Sequence, residues 1–138
     1  MSAYASTVIN ASADEVWEYL RDFGNLAEWL PGITGCEIED GGDSRPGAVR
    51  RMEGPGGTFR ERLLTLDDTS RSATYTILES PLPVRDYRAS YRVAPVTDSG
   101  RAFAEWSAVF GADDVAQMEE FVVRQIFVPG LAALHERF

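Results

Sequence analysis

Residues 58–66 read Thr-Phe-Arg-Glu-Arg-Leu-Leu-Thr-Leu, and residues 72–79 read Ser-Ala-Thr-Tyr-Thr-Ile-Leu-Glu, with Asp67-Asp68-Thr69-Ser70 in the break between them. Each run has the period-two alternation of a half-buried strand. A break that short joins antiparallel neighbours, because a parallel pair needs a crossover of a dozen or more residues. The pattern extends in both directions and predicts strands over Ile33–Glu39, Ala48–Glu53, Thr58–Leu66, Ser72–Glu79, Asp86–Ala94 and Arg101–Phe110. Turn-forming segments punctuate them: Gly41 to Gly47, Gly54-Pro55-Gly56-Gly57, Ser80-Pro81-Leu82-Pro83 and Asp98-Ser99-Gly100.

Upstream, Tyr4–Asn10 reads as a further short strand. Ser12 then offers an N-cap with Glu15 at the capping-box position. Val16, Trp17, Leu20 and Phe23 follow at helical spacing, so a helix is expected over Ala13–Asp22, stopped by Gly24. Leu26 to Leu30 makes a second short helical turn before Pro31-Gly32. Downstream, Asp113–Arg137 reads as one helix, about 37 Å long at the usual rise of 1.5 Å per residue. Asp113 and Asp114 suit its first turn, and Pro129 should kink it. Ala116, Val123, Phe127, Leu131 and Leu134 would face the sheet. Met118, Phe121, Val122 and Val128 would then form an apolar stripe facing away, suited to a homodimer contact through this helix, the alternative being a shifted helical register near Pro129. The fold class is α+β: a curved seven-strand antiparallel sheet wrapped around a long C-terminal helix, with two short helices after strand 1, as one domain over residues 1–138. Between sheet and helix such a fold leaves a hollow where a small ligand would sit.

Composition excludes several functions. Thirteen basic residues against twenty-two acidic ones give a net charge of −9, which repels phosphate backbones and anionic lipid. No apolar run reaches the length of a membrane span and no leader pattern opens the chain, so no nucleic-acid partner, no membrane span and a cytoplasmic location are expected. A single cysteine, Cys36, and a single histidine, His135, allow neither an intrachain disulfide nor a Cys/His zinc cluster, and no metal site is expected. All thirteen basic residues are arginine, so the chain has no lysine for Schiff-base chemistry or a P-loop. No cofactor is called for.

Parity places the candidate site residues. In Thr58–Leu66, Phe59, Glu61, Leu63 and Thr65 share one face, and Arg60, Arg62 and Leu64 the other. The arginines belong to solvent, so Glu61 points into the hollow. By the same reading Tyr75 and Ile77, then Tyr87, Ala89 and Tyr91, face inward. Arg50 and Arg51 alternate, so one of them faces inward as an anion anchor or salt-bridge partner. Glu119 and Glu120 lie on the inward arc of the long helix with Val123 and Phe127, and Trp29 borders the cavity.

The ordered set of motifs resembles the SRPBCC (START-like, helix-grip) superfamily in its polyketide cyclase/dehydrase-like branch. The residues that carry the resemblance are Ala11 to Phe23, Trp29-Leu30-Pro31-Gly32, Gly47-Ala48-Val49-Arg50-Arg51, Glu61-Arg62-Leu63 before Leu66-Asp67-Asp68, and Glu105-Trp106. A second likeness, from Met52 to Val93, is to the abscisic-acid receptors of plants. By that likeness Gly54, Pro55 and Gly56 would form a gate loop, and Pro81, Leu82 and Pro83 a latch. The receptors' ligand-holding lysine would fall near Thr34, and their latch histidine is replaced by Leu82. The resemblance also implies that Glu61, Tyr75, Ile77, Tyr87 and Glu105 line the pocket. The expected site is then a carboxylate pair, Glu61 and Glu105, with Tyr87 and Tyr75 as phenol donors, and a lining of Phe59, Leu63, Ile77, Leu82, Ala89, Tyr91, Trp29, Glu120, Val123 and Phe127. What the resemblance implies is a cofactor-independent cyclase or dehydratase acting on a hydrophobic carbonyl compound. The alternative is a non-catalytic carrier or sensor that binds a lipid-like or other small hydrophobic molecule.

Overall fold

The computed structural model describes residues 2–138. Strand β1 (Ala3–Ile9) is followed by helix α1 (Ala13–Leu20) and the single turn α2 (Leu26–Trp29). Six strands then run in succession: β2 (Thr34–Ile38), β3 (Val49–Gly54), β4 (Gly57–Asp67), β5 (Ser72–Glu79), β6 (Arg85–Pro95) and β7 (Ala102–Gly111). All pairings are antiparallel, in the order β1-β7-β6-β5-β4-β3-β2, so β1 returns to the far edge beside β7. Ser12 caps α1 as its sequence position requires, its Oγ accepting from the Glu15 backbone amide at 3.1 Å.

The C-terminal helix covers Val115–Arg137 and differs from a continuous α-helix in its middle. α3 (Val115–Val122) passes into a π turn (Val123–Phe127) and then α4 (Val128–Arg137), with Pro129 at the start of α4. Proline cannot donate to the carbonyl four residues back. The wider π turn takes up that lost bond and shifts the helical register by one residue. The buried face is therefore Glu119, Val122, Phe127, Gly130, Leu131 and Leu134. Ala116, expected to be buried, is exposed, and Val122, expected to point away, is fully buried. The apolar stripe predicted on the outer side shrinks to Phe121 and Val128, with Met118 half-buried. Asp114 lies just outside α3 and caps it, accepting from the Gln117 amide.

Concave-face residues of the sheet form the core with this helix and α1. One local departure from strict alternation occurs in β4. The register with β5 slips between Leu63 and Thr65, a bulge that turns Thr65 to the outer face opposite Thr74. Their hydroxyls meet there at 2.6 Å. The chain has no helix, among the described residues, long and apolar enough to cross a membrane.

Candidate functional site

The β3–β4 hairpin places the central charges. Gly54 pairs with Gly57 around a two-residue turn, Pro55-Gly56, in which Gly56 has φ +90°. Proline followed by a residue of positive φ is the chemistry of a type II turn. That turn sets the register, and register puts Arg50 directly across from Glu61. Both side chains point into the concave face and are 5% and 9% exposed. Arg50 donates to Glu61 Oε1 from Nε at 2.8 Å and from Nη2 at 2.7 Å. A third nitrogen, Nη1, reaches the Phe23 carbonyl at 3.4 Å. The guanidinium lies 4.0 Å from the Phe23 ring centroid and 4.8 Å from that of Tyr75, so aromatic faces complete its surroundings. Burial disfavours the charged guanidinium, but Glu61 and the neighbouring phenols outweigh it, and the arginine's pKa ends above its ordinary value. Of the two adjacent arginines, Arg50 is thus the inward one, and Arg51 is exposed.

Above this pair lies a cavity of about 180 Å³, walled by Met52, Phe59, Ile77, Leu82 and Trp106, with Arg50, Glu61, Tyr75 and Tyr87 as its polar groups. An apolar cavity of roughly 150 Å³ holds benzene, so at least one ring fits. Both Arg50 bonds go to Glu61 Oε1, and Oε2 has no protein hydrogen bond among the described residues. Tyr75 accepts from Trp106 Nε1 at 3.0 Å, which leaves its own O–H free to donate. Tyr87 is stacked on Phe110, and its hydroxyl has no protein partner among the described residues. Burial raises the pKa of Tyr75 and of Tyr87 well above the ordinary phenol value, with the Glu61 charge adding to the effect. Both phenols are therefore neutral donors at physiological pH.

The mouth is built from loops that touch. A β-carbon placed on Gly56 would lie 3.2 Å from Pro81, and one on Gly32 would lie 3.5 Å from Pro55. Phe121 and Gln125 close the rim from the helix side. A second, smaller cavity of about 20 Å³, room for roughly one water, lies behind Tyr75 and Trp106 and is bordered by Trp29, Asn25 and Tyr91. Trp29 Nε1 is buried without a partner. Tyr91 donates to the Leu20 carbonyl, and burial pushes its phenol pKa up to about 12.

Several expected positions fall elsewhere. Glu105 is not beside Glu61. Along β7, Ala102, Ala104, Trp106 and Ala108 face the core, so Glu105 takes the outer face and pairs with Arg92 at 2.8 Å. The wall position expected for Glu105 belongs to its neighbour Trp106. Glu120 is exposed and pairs with Arg124, while its neighbour Glu119 is buried. Leu63, Ala89 and Phe127 are core residues beneath the wall, Phe127 stacked on Trp106 with centroids 4.3 Å apart. Val123 is half-buried in the π turn. Trp29 and Tyr91 border the small cavity rather than the large one. Gly54 and Pro83 flank the mouth loops without reaching the cavity wall, which Pro55 and Leu82 do. Trp17 is core, its Nε1 donating to Asp68 at 2.8 Å. Among the described residues, no cluster of three or more His, Cys, Asp or Glu is arranged to hold a metal ion.

A curved antiparallel sheet gripping one C-terminal helix, with a largely apolar cavity between them, defines a helix-grip fold. The chain belongs to the family described as polyketide cyclase / dehydrase and lipid transport, whose profile matches residues 1–138. It is similar to the protein XoxI from Bacillus cereus, at 31% identity and a TM-score of 0.86 over 99% of this chain and 94% of that one. A Thermobifida fusca protein solved by NMR is 30% identical with the same TM-score, covering 99% and 91% of the two chains. The di-domain aromatase/cyclase BexL of the BE-7585A biosynthetic pathway shares the fold at 21% identity and a TM-score of 0.81. That match covers 99% of this chain and 45% of BexL.

Proposed function

We propose that this protein is a cofactor-independent cyclase/dehydratase that folds a small hydrophobic carbonyl compound and closes a ring in it by aldol chemistry. The reading rests on one juxtaposition: an unpartnered carboxylate oxygen, Glu61 Oε2, and two neutral phenol donors, Tyr75 and Tyr87, border one cavity. In this mechanism Glu61 takes a proton from the carbon between two carbonyls. The electron pair of that C–H bond passes to the carbonyl oxygen, where the phenol O–H groups stabilise the enolate. The enolate carbon attacks a second carbonyl of the same molecule and forms the C–C bond. The new alkoxide takes the proton held by Glu61 and becomes a hydroxyl. Glu61 then removes the second proton from the same carbon, the electron pair of that C–H bond forms the C=C bond as the C–O bond breaks, and Glu61 passes this proton to the departing hydroxyl, which leaves as water. Cavity walls that hold the chain folded supply proximity, which in favourable cases is the larger part of the rate. Arg50 holds Glu61 in place and adds positive potential near the developing oxyanion.

A second reading, binding or transport without chemistry, is favoured by the ion pair: Glu61 already has a cation at 2.7 Å, an arrangement that can orient a bound molecule without moving a proton. The test is incubation with a linear 1,3,5-triketone bearing one aromatic ring, followed by mass analysis. Cyclised, dehydrated product from the wild type, reduced by about 100-fold or more in Glu61→Gln with triketone binding retained, is the expected result. Triketone bound and recovered unchanged from the wild type would move the assignment to a carrier. Full turnover in Glu61→Gln would remove Glu61 as the base.

A further inference from the structure

We infer that Glu61 is a specificity determinant that makes this cavity select neutral carbonyl compounds and reject the corresponding carboxylic acids. The inference deepens the reading of the cavity as a ligand site and rests on that reading. Its basis is how Arg50 is occupied. An arginine at the floor of a cavity, alone, is an anchor for a carboxylate. Here two of its nitrogens are committed to one oxygen of Glu61 at 2.7 and 2.8 Å, a third leans on the Phe23 carbonyl, and two aromatic rings cover its faces. The pair is neutral as a unit. A ligand carboxylate entering the cavity would meet Glu61 Oε2 as a like charge, with solvent excluded and no further buried cation to share. Among the described residues Arg50 is the only arginine that borders this cavity, and the chain has no lysine. Two carboxylates confined to one site with a single cation cannot both stay ionised without large cost. A neutral ketone avoids this penalty, since Tyr75 and Tyr87 offer O–H donors to its oxygen.

The sign of the selection therefore depends on one side chain. In Glu61→Gln the guanidinium keeps an acceptor, the amide oxygen, at the same place but loses its counter-charge, and the cavity becomes an anion site. The experiment uses a matched pair of one-ring probes, phenylacetone and phenylacetate, titrated into the full chain and followed by calorimetry. The wild type should bind the ketone and disfavour the acid by about a hundredfold. Glu61→Gln should bind the ketone within a few-fold of wild type and gain at least tenfold for the acid. The wild type supplies an independent readout that needs no variant to fold. Its apparent affinity for the acid should rise about tenfold per pH unit as the acid is driven towards its neutral form, with the ketone unaffected. Equal binding of both probes to the wild type, or acid affinity independent of pH, would overturn the inference and leave the ligand site standing. Failure of both probes to bind would overturn the ligand-site reading and the inference with it.

Discussion

Replacing Arg50 with methionine should cost more stability than any other single exchange on the cavity floor, and removing Glu61 as well should restore most of it. Both side chains are nearly inaccessible, 5% exposed for Arg50 and 9% for Glu61, so water cannot take over the lost bonds. Arg50→Met strips Glu61 of two charge-assisted hydrogen bonds and leaves a buried carboxylate beside Phe59, Ile77 and Met52. Breaking one partner of a buried pair costs about 3–5 kcal/mol, against a total stability of about 5–15 kcal/mol for a domain of this kind. Methionine keeps part of the contact with the Phe23 and Tyr75 rings, so lost packing adds little. In Arg50→Met/Glu61→Met the stranded charge is gone and two flexible apolar side chains fill the same space. Replacing a whole buried pair in this way is commonly neutral or stabilising, so the double variant should lie within about 1 kcal/mol of wild type. The assay is urea unfolding followed by tryptophan fluorescence, with the slope checked for constancy. A single variant that loses less than about 1 kcal/mol, or a double variant no better than the single, would refute the view that these two residues form one isolated neutral unit.

Two more outcomes follow from burial. Tyr75, Tyr87 and Tyr91 all have phenol groups raised above the ordinary value near 10. Their neutral forms stabilise the fold fully below that pH, and this contribution is lost as pH rises from about 10 towards the folded-state values, Tyr91 reaching about 12. The losses of the three groups add, so stability should fall steadily as the pH is raised above 10. In an alkaline absorbance titration their phenolate signal should appear together with unfolding; smooth ionisation of all five tyrosines near pH 10 in the folded protein would contradict this. Gly130→Ala should also destabilise the protein, because a β-carbon there would sit 2.7 Å from Leu30, 3.0 Å from Trp106 and 3.2 Å from Trp29. Overpacking costs about 1–3 kcal/mol and the gain in helix propensity returns at most about 1. An unchanged or raised melting temperature would show that Leu30 and the two tryptophans yield.

The strand succession, the N-cap of α1 and the inward direction of Glu61 were legible from periodicity and turn chemistry, because these are local properties of the chain. The partner of Glu61 was also within reach. A two-residue turn at Pro55-Gly56 pairs 54 with 57, and counting outward pairs 50 with 61. Taken as one undivided break, Gly54 to Gly57 carries no register. Glu105 shows the opposite failure. The small residues Ala102, Ala104 and Ala108 alternate with Trp106 on one face, which assigns Glu105 to the other, whereas the family likeness points it inward. The π turn before Pro129 carries no periodic signature of its own. One residue of slippage there exchanged Val122 for Val123 on the buried face. The bulge at Leu64 likewise turned Thr65 outward, an effect of strand pairing that alternation within one strand does not encode.

The same residues also separate what stabilises the fold from what equips it. A cavity forfeits packing contacts that side chains could make, and a buried ion pair seldom repays the desolvation of its members. This chain sets both at one place, on strands that elsewhere bury Ala, Leu and Tyr tightly. If the Arg50→Met/Glu61→Met protein proves as stable as wild type, the pair is not required for folding, and its role must be sought in what the cavity holds. The geometry narrows that role. Glu61 presents one free acceptor, Tyr75 and Tyr87 present one free donor each, Arg50 is committed to Glu61, and apart from Gln125 at the rim the remainder of the wall is apolar. Such a site orients an uncharged molecule by its oxygens and desolvates the carbon between them. On the proposed cyclase reading that environment serves aldol closure, and a stable double variant that still takes up phenylacetone and no longer cyclises the triketone would divide binding from chemistry at this one pair.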